Sequence, residues 1–170
     1  MFVRQVMVPE ASLIAPLSDL LIDAVHNGAS VGFLVPLAQQ SAETYWRQVF
    51  ASLGDGLVLW VAEVSGKVVG TVQIAPCLKE NGRHRAEVQK LLVHSSHRGQ
   101  GIAGRLMAQA EAFARSAGIT LLVLDTQAGS VAEIVYQHLG WQKAGEVPNY
   151  AASPDGRLHA TAYYFKTNVP

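Results

Sequence analysis

Apolar and polar positions alternate loosely from Phe2 to Val8 and stop at Pro9, which predicts a short strand. From about Leu13 to Val25 the apolar residues Leu13, Leu17, Leu20, Leu21 and Ala24 recur on one helical face, with Ser12 placed as a cap. A second helix, roughly Leu37 to Leu53, carries Tyr45, Trp46, Val49, Phe50 and Leu53 at the same spacing and ends at Gly54 and Gly56. Leu57 to Val64 and Lys67 to Ala75 then read as strands, and the Ser65-Gly66 link joins them as a hairpin. Arg85 to Val93 is a third antiparallel candidate. A helix from about Gly101 to Ala117 closes at Gly118. The almost wholly apolar run from Ile119 to Leu124 has the pattern of a strand covered on both faces. A short helix over Ser130 to Leu139 and strands at Trp141 to Val147 and His159 to Phe165 complete the order. Between those strands Pro148 to Arg157 reads as a loop, with a Pro-Asp-Gly turn at 154 to 156.

This order, β-α-α-β-β-β-α-β-α-β-β, predicts an α/β fold with a central mixed sheet and helices on both faces. No linker or internal repeat divides the 170 residues, so one domain over 1–170 is expected. The composition agrees with a folded chain: 49% of residues are apolar and 15% charged. Thirteen basic residues balance thirteen acidic ones, so the general basic field that nucleic-acid or polybasic membrane binding requires is missing. The longest unbroken apolar run, Leu57 to Ala62, is far too short for a membrane span. The expected setting is cytoplasmic, as a monomer or homodimer. One cysteine, Cys77, permits neither an internal disulfide nor a cysteine-based zinc site. His94 and His97 have no third ligand nearby in sequence, and no metal is expected.

Val93-His94-Ser95-Ser96-His97-Arg98-Gly99-Gln100-Gly101-Ile102-Ala103-Gly104 runs from a strand into a helix. Glycines there let the backbone approach an anion, and helix N–H groups favour negative charge. Arg98 adds a fixed positive charge. Gly99, Gly101 and Gly104 also match the dinucleotide-binding pattern G-x-G-x-x-G, with Asp125 near the expected acidic position. That reading fails. Five polar residues separate the strand from the first glycine, the preceding strands form a meander, and too few parallel strands remain.

Arg98-Gly99-Gln100-Gly101-Ile102-Ala103 is instead similar to the R/Q-x-x-G-x-G/A motif of the GNAT N-acetyltransferase family. Ala132, Tyr136 and the Gly140-Trp141 pair resemble that family's following segment, with Gly129 where an asparagine is usual and Val135 where a leucine is usual. The resemblance implies the GNAT fold, a mostly antiparallel twisted sheet of about seven strands. It implies acetyl-CoA as cosubstrate, without metal. The coenzyme would lie on main-chain groups at Leu92 and Val93, on Arg98, Gly99, Gln100, Gly101, Ile102, Ala103 and Gly104, and beside Ser130 and Ala132. Segments outside the coenzyme motif, at 26–33, 86–91, 124–126, 128–133 and 154–159, resemble toxin-resistance members of the family that acetylate an amino-acid-like amine.

Acetylating such an amine requires removing its proton. With a pKa near ~10.4, it is neutral at pH 7 in only about one molecule in ~10³. Glu87 and Asp125, on strands that a β-α-β unit would set side by side, are the candidate bases; Glu87 has the alternative of pairing with Arg85 or Lys90 at the surface. Tyr136 is the candidate acid for the departing thiolate, with core packing as its alternative. Phe33, Tyr150 and Arg157 lie in loops that are expected to wall the acceptor site, Arg157 as a carboxylate partner. The expected partner is a small-molecule amine. A protein or polyamine acceptor, or a non-catalytic acyl-CoA-binding regulatory module, are the alternatives.

Overall fold

The computed structural model describes residues 1–167; residues 168–170, the end of the expected domain, lie outside the described residues. Seven strands form one sheet in the order β1-β2-β3-β4-β5-β7-β6. They are β1 (Phe2–Val6), β2 (Val58–Val64), β3 (Lys67–Pro76), β4 (Arg85–Val93), β5 (Leu121–Gln127), β6 (Gln142–Ala152) and β7 (Leu158–Thr167). Every pairing is antiparallel except β4 with β5. Four helices accompany the sheet: α1 (Ile14–His26), α2 (Gln39–Ala51), α3 (Ile102–Ser116) and α4 (Val131–His138). This is the expected mixed α/β architecture of about seven strands. No helix of the described residues is long and apolar enough to cross a membrane.

Two cores divide the sheet faces. On one, α3 and α4 bury Leu106, Met107, Ala110, Tyr136 and Trp141 against Trp60, Val72, Ile74, Val88, Leu122, Leu124 and Tyr164. On the other, α1 and α2 bury Leu17, Leu20, Leu21, Trp46 and Phe50 against Val6, Leu59, Val61 and Leu92. Each fully buried leucine contributes about 2 kcal/mol. The i, i+3, i+4 spacing of Leu17, Leu20 and Leu21 is thus what docks α1 on the sheet.

Three local expectations change. Ser12 is not a helix cap: it lies inside a 3-10 turn, Ala11–Leu13, and α1 starts after Leu13 without a side-chain cap. β5 is not covered on both faces; Leu122 and Leu124 are buried while Asp125 is exposed, because α1 and α2 stop short of this part of the sheet. The loop predicted at 148–157 shrinks to a turn over 153–157, since β6 runs on to Ala152. Pro148 is tolerated in it because β6 is an edge strand and the pairing slips between Val147 and Ala151.

A polar network ties the α3 face to the sheet. Glu111 accepts hydrogen bonds from Trp141 Nε1 at 3.1 Å and Lys166 Nζ at 2.8 Å, and Lys166 also donates to the carbonyl of Leu139 at 2.7 Å. One carboxylate thereby fixes α3, the end of α4 and β7 together. Glu111→Leu should lower unfolding free energy by about 2–3 kcal/mol in urea melts, because a half-buried ammonium and a buried indole N–H lose a charged acceptor.

Candidate active site

The two strands that hold Glu87 and Asp125 pair only briefly. β4 and β5 are in parallel register over Arg85↔Leu121, Ala86↔Leu122 and Glu87↔Val123, and the pairing goes no further. β4 continues to Val93 against β3 alone, so main-chain groups on its other side are left without a partner strand. β5 turns away with β7, with which it pairs over seven residues. A cleft opens where the strands part.

At the mouth of the cleft β4 carries a bulge. Opposite β3 the pairs are Thr71↔Leu92 and Gln73↔Gln89, so one extra residue is inserted. Within it Lys90 has φ +49°, a left-handed conformation that costs a residue with a side chain of order 1 kcal/mol. The bulge also resets the alternation. Ala86 and Val88 face α3, whereas Leu92 faces α1 and α2.

Asp125 lies opposite Tyr163, and Tyr163 meets Tyr150 edge to face at 5.8 Å. The Tyr163 phenol is pushed up to about 12 by the adjoining Tyr150, by burial, and by the charges of Asp125 and Glu87. Lys90 Nζ stands 5.6 Å from the centre of the Tyr45 ring. Phe33 packs edge-on against the same ring at 5.5 Å, and the buried Gln73 amide holds the Tyr45 hydroxyl at 3.1 Å. Burial pulls the Lys90 ammonium below the ordinary lysine range, while Asp125 and Glu87 pull it upward. Glu87 forms no ion pair with Arg85 or Lys90 among the described residues.

Tyr136 reaches the split from the α4 side. It is 7% exposed and packs between Trp141 and Tyr164. Burial, reinforced by the Asp125 charge, pushes its phenol up to about 12. It makes no hydrogen bond, yet Trp46 Nε1 is the only buried, unpartnered side-chain polar atom among the described residues. The Tyr136 hydroxyl therefore touches accessible space.

Beyond Val93 the chain makes a 3-10 turn (Ser95–His97) and enters α3 through Gly99 at φ +76° and Gly101 at φ +73°. Gly101 occupies the cap position with no side-chain cap, so the first N–H groups of α3 are open to an anion. Arg98 is exposed beside them, its Nε 3.4 Å from the Val93 carbonyl. Ile102 is anchored in the core, and Gly104 leaves room against Leu139. Gln100 is exposed at the same turn. The turn is tied to α1 by Asp23, which accepts from the Ser95 N–H and hydroxyl, both at 2.7 Å.

Ser130 sits at the start of α4, and Ala132 packs partly buried against the core. Gly129, at φ +75°, donates its N–H to Glu133, which also accepts from Tyr164 at 2.6 Å and Lys143 at 2.9 Å. Burial would raise the Glu133 carboxyl, but these donors hold it below the usual carboxylate range.

The structure thus gathers Glu87, Asp125, Tyr136, Phe33 and Tyr150 around one split. It does not bring Arg157 to them: that guanidinium is 82% exposed and ion-paired with Asp155 of its own turn at 2.7 Å. Tyr45, Gln73, Lys90 and Tyr163 join the cleft without having been foreseen. Only for Lys90 was there a signal, its place three residues after Glu87 in a strand whose alternation breaks there. His94 and His97 share the Ser96 hydroxyl at 2.9 and 2.8 Å, and no group of three metal-ligating side chains occurs among the described residues.

Known proteins carry the same pattern. Residues 20–141 match the model of the acetyltransferase (GNAT) family. N-acetyltransferase family 8 member 2 of Rattus norvegicus is 45% identical over 115 residues, 65% of this chain and 49% of its own length. N-acetyltransferase 8 of the same organism is 43% identical over 95 residues, 54% of this chain and 42% of that protein. The chain therefore spans less than half the length of these relatives. Among solved structures, the ribosomal-protein-alanine N-acetyltransferase of Brucella melitensis shares the fold with a TM-score of 0.80 at 24% identity, over 98% of this chain and 99% of that one. An aminoglycoside 6'-N-acetyltransferase complexed with coenzyme A does so with a TM-score of 0.75 at 20% identity, over 100% and 98%.

Asp23→Ala should destabilise the fold by about 1–2 kcal/mol in urea melts, because the Ser95 N–H and hydroxyl lose a charged acceptor.

Proposed function

This chain belongs to the GNAT acetyltransferase family, and from that premise we propose that it transfers an acetyl group from acetyl-CoA to the nitrogen of a small amine. The observation that carries the reading is the parted β4/β5 pair, with two carboxylates on one side, a buried phenol on the other and an uncapped helix N-terminus at its end. A binding module needs the last of these but not the first two.

The residues fit the coenzyme. In this reading the α3 N–H groups over Gly101–Gly104 and Arg98 take the pyrophosphate, with Gly99, Gln100, Ile102 and Ala103 shaping the turn. The partnerless edge of β4 at Leu92 and Val93 takes the amides of the pantetheine arm, and Ser130 and Ala132 flank it from α4. Coenzyme bound in the aminoglycoside enzyme of like fold supports the assignment. Acetyl-CoA supplies an acyl group activated as a thioester. A β4 N–H near Leu92 or Val93 stabilises the carbonyl oxygen as it gains charge.

The protein's own groups do the proton work. Glu87 or Asp125 takes the proton from the acceptor ammonium, directly or through water, and the amine attacks in the ternary complex. Tyr136 holds a proton for the departing sulfur, a thiol with pKa near ~8.5. Its elevated pKa keeps the phenol protonated, so it remains a donor throughout the neutral range. No covalent acetyl-enzyme is involved.

The acceptor is an amino-acid-like toxin or metabolite bearing both amine and carboxylate. The likeness of segments 26–33, 86–91 and 154–159 to tabtoxin-resistance acetyltransferases supports that class. The protein works in the cytoplasm as a monomer or homodimer. The protein, lysine and polyamine acceptors remain the second reading, with the ribosomal-protein enzyme of like fold as its support.

A thiol-release assay with acetyl-CoA and an amine panel tests the activity; coenzyme binding without turnover of any amine would leave a non-catalytic module. Tyr136→Phe should lower kcat about 100-fold while coenzyme affinity stays within about twofold. The wild-type rate should carry no alkaline limb from this phenol until the pH approaches about 12. An unchanged kcat removes Tyr136 as the acid. Arg98→Ala should weaken coenzyme binding about tenfold by calorimetry, and unaltered affinity would refute its phosphate role.

A further inference from the structure

Lys90 is the cation of the cleft that nothing in the fold uses. It forms no hydrogen bond and no ion pair among the described residues, although two carboxylates are close enough to act on its charge. It is half-buried, so its ammonium has lost part of its water without gaining an anion. The Tyr45 ring, braced by Phe33 and by Gln73, holds the ammonium at 5.6 Å, where the ring face offers partial compensation only. The side chain is delivered there by a bulge in which Lys90 takes a left-handed backbone, a conformation that glycine or asparagine adopts at less cost. Arg157 does not serve this cleft, being ion-paired with Asp155.

We propose that Lys90, seated on Tyr45, is the specificity-determining residue that receives the carboxylate of the acceptor, so that the substrate is an amine with a carboxylate a few bonds from its nitrogen. The assignment rests on the acetyl-transfer reading and adds the residue that selects the substrate. Its logic is one of charge. Glu87 and Asp125 draw the ammonium end of the acceptor, while Lys90, on the same face of β4, draws the carboxylate end. A zwitterion is thereby oriented with its nitrogen toward the split where β4 and β5 part. A plain amine of the same size satisfies the carboxylates but leaves Lys90 unpaired, and a diamine brings a second cation against it.

Matched acceptor pairs test this: phenylalanine with phenethylamine, methionine with 3-(methylthio)propylamine, and lysine with cadaverine, each measured by thiol release. The best acid should exceed its decarboxylated partner by about 10- to 100-fold in kcat/KM. In Lys90→Met the ratio should fall to within about twofold, with the KM for acetyl-CoA unchanged, and Lys90→Arg should restore part of it. Equal turnover of acid and amine by the wild type, or a preference that survives in Lys90→Met, overturns the proposal. If no pair is turned over, the acetyl-transfer reading has failed on this panel. The Lys90 assignment is then decided by NMR of the Lys90 Cε signal titrated with 3-phenylpropionate. A saturable shift absent with 3-phenylpropanol supports it, and an unmoved signal overturns it.

Discussion

The parallel pairing of β4 with β5 lasts three residues and then fails, and the site is built on that failure. A sheet that stayed closed would spend that edge of β4 on β5 and leave no room between them. Ended at Glu87↔Val123, it exposes main-chain donors and acceptors along Gln89 to Val93 to whatever ligand can pair with them. The same parting lets groups from opposite sheet faces meet. Asp125 points away from the α3 core, Tyr136 stands within it, and yet the carboxylate acts on the phenol. The proposed base and acid, on two sides of one bond-making point, would require such a gap.

An opening inside a sheet must be braced from outside. β3 and β4 remain paired up to Gly70↔Val93, and β5 and β7 remain paired through Gln127↔Thr161. Glu111 links α3 to β7 and to Trp141, and Glu133 links the start of α4 to Tyr164 and Lys143. These are buried carboxylates with several donors each, and such networks hold the elements they join in position. Gly129 takes part by donating its N–H to Glu133. A residue lacking the amide of the family's usual asparagine is thus drawn into the bracing of α4 through its backbone. Asp23 does the equivalent at the far end, fixing the Ser95 turn to α1 so that the glycine-lined approach to α3 keeps its shape.

Much of this was legible in the chain because it follows from local rules. Apolar spacing over 13–25 and 101–117 located α1 and α3, and Gly99 and Gly101 marked a turn that in the structure takes positive φ at both. What escaped depends on neighbours. Pro148 reads as a loop until its strand is known to lie at an edge. The apolar run before Asp125 reads as doubly buried until the helices over one face are known to end early. Arg157 reads as a site cation until Asp155, two residues before it, is seen to hold it. Lys90 reads as a surface residue because the strand alternation that would place it is broken by the bulge at that very position. The break in alternation hints at the bulge, but the ring of Tyr45, 45 positions earlier, is not encoded in the local pattern around Lys90.

The balanced charge of the chain conceals a problem that the cleft resolves. Two carboxylates attract an ammonium, but they also stabilise its charged form and so oppose the deprotonation that acylation requires. A site made only of Glu87 and Asp125 would bind the acceptor and keep it unreactive. In the proposed complex, desolvation against Phe33 and Tyr45 would act in the opposite sense, since it disfavours the cation. Lys90 adds to that, because its own positive charge within the same cluster favours the acceptor's neutral form. The depressed Lys90 ammonium records the same burial acting on a resident amine. In the proposed reaction an incoming amine meets the same opposing pulls, and the carboxylates would take its proton rather than merely pair with it.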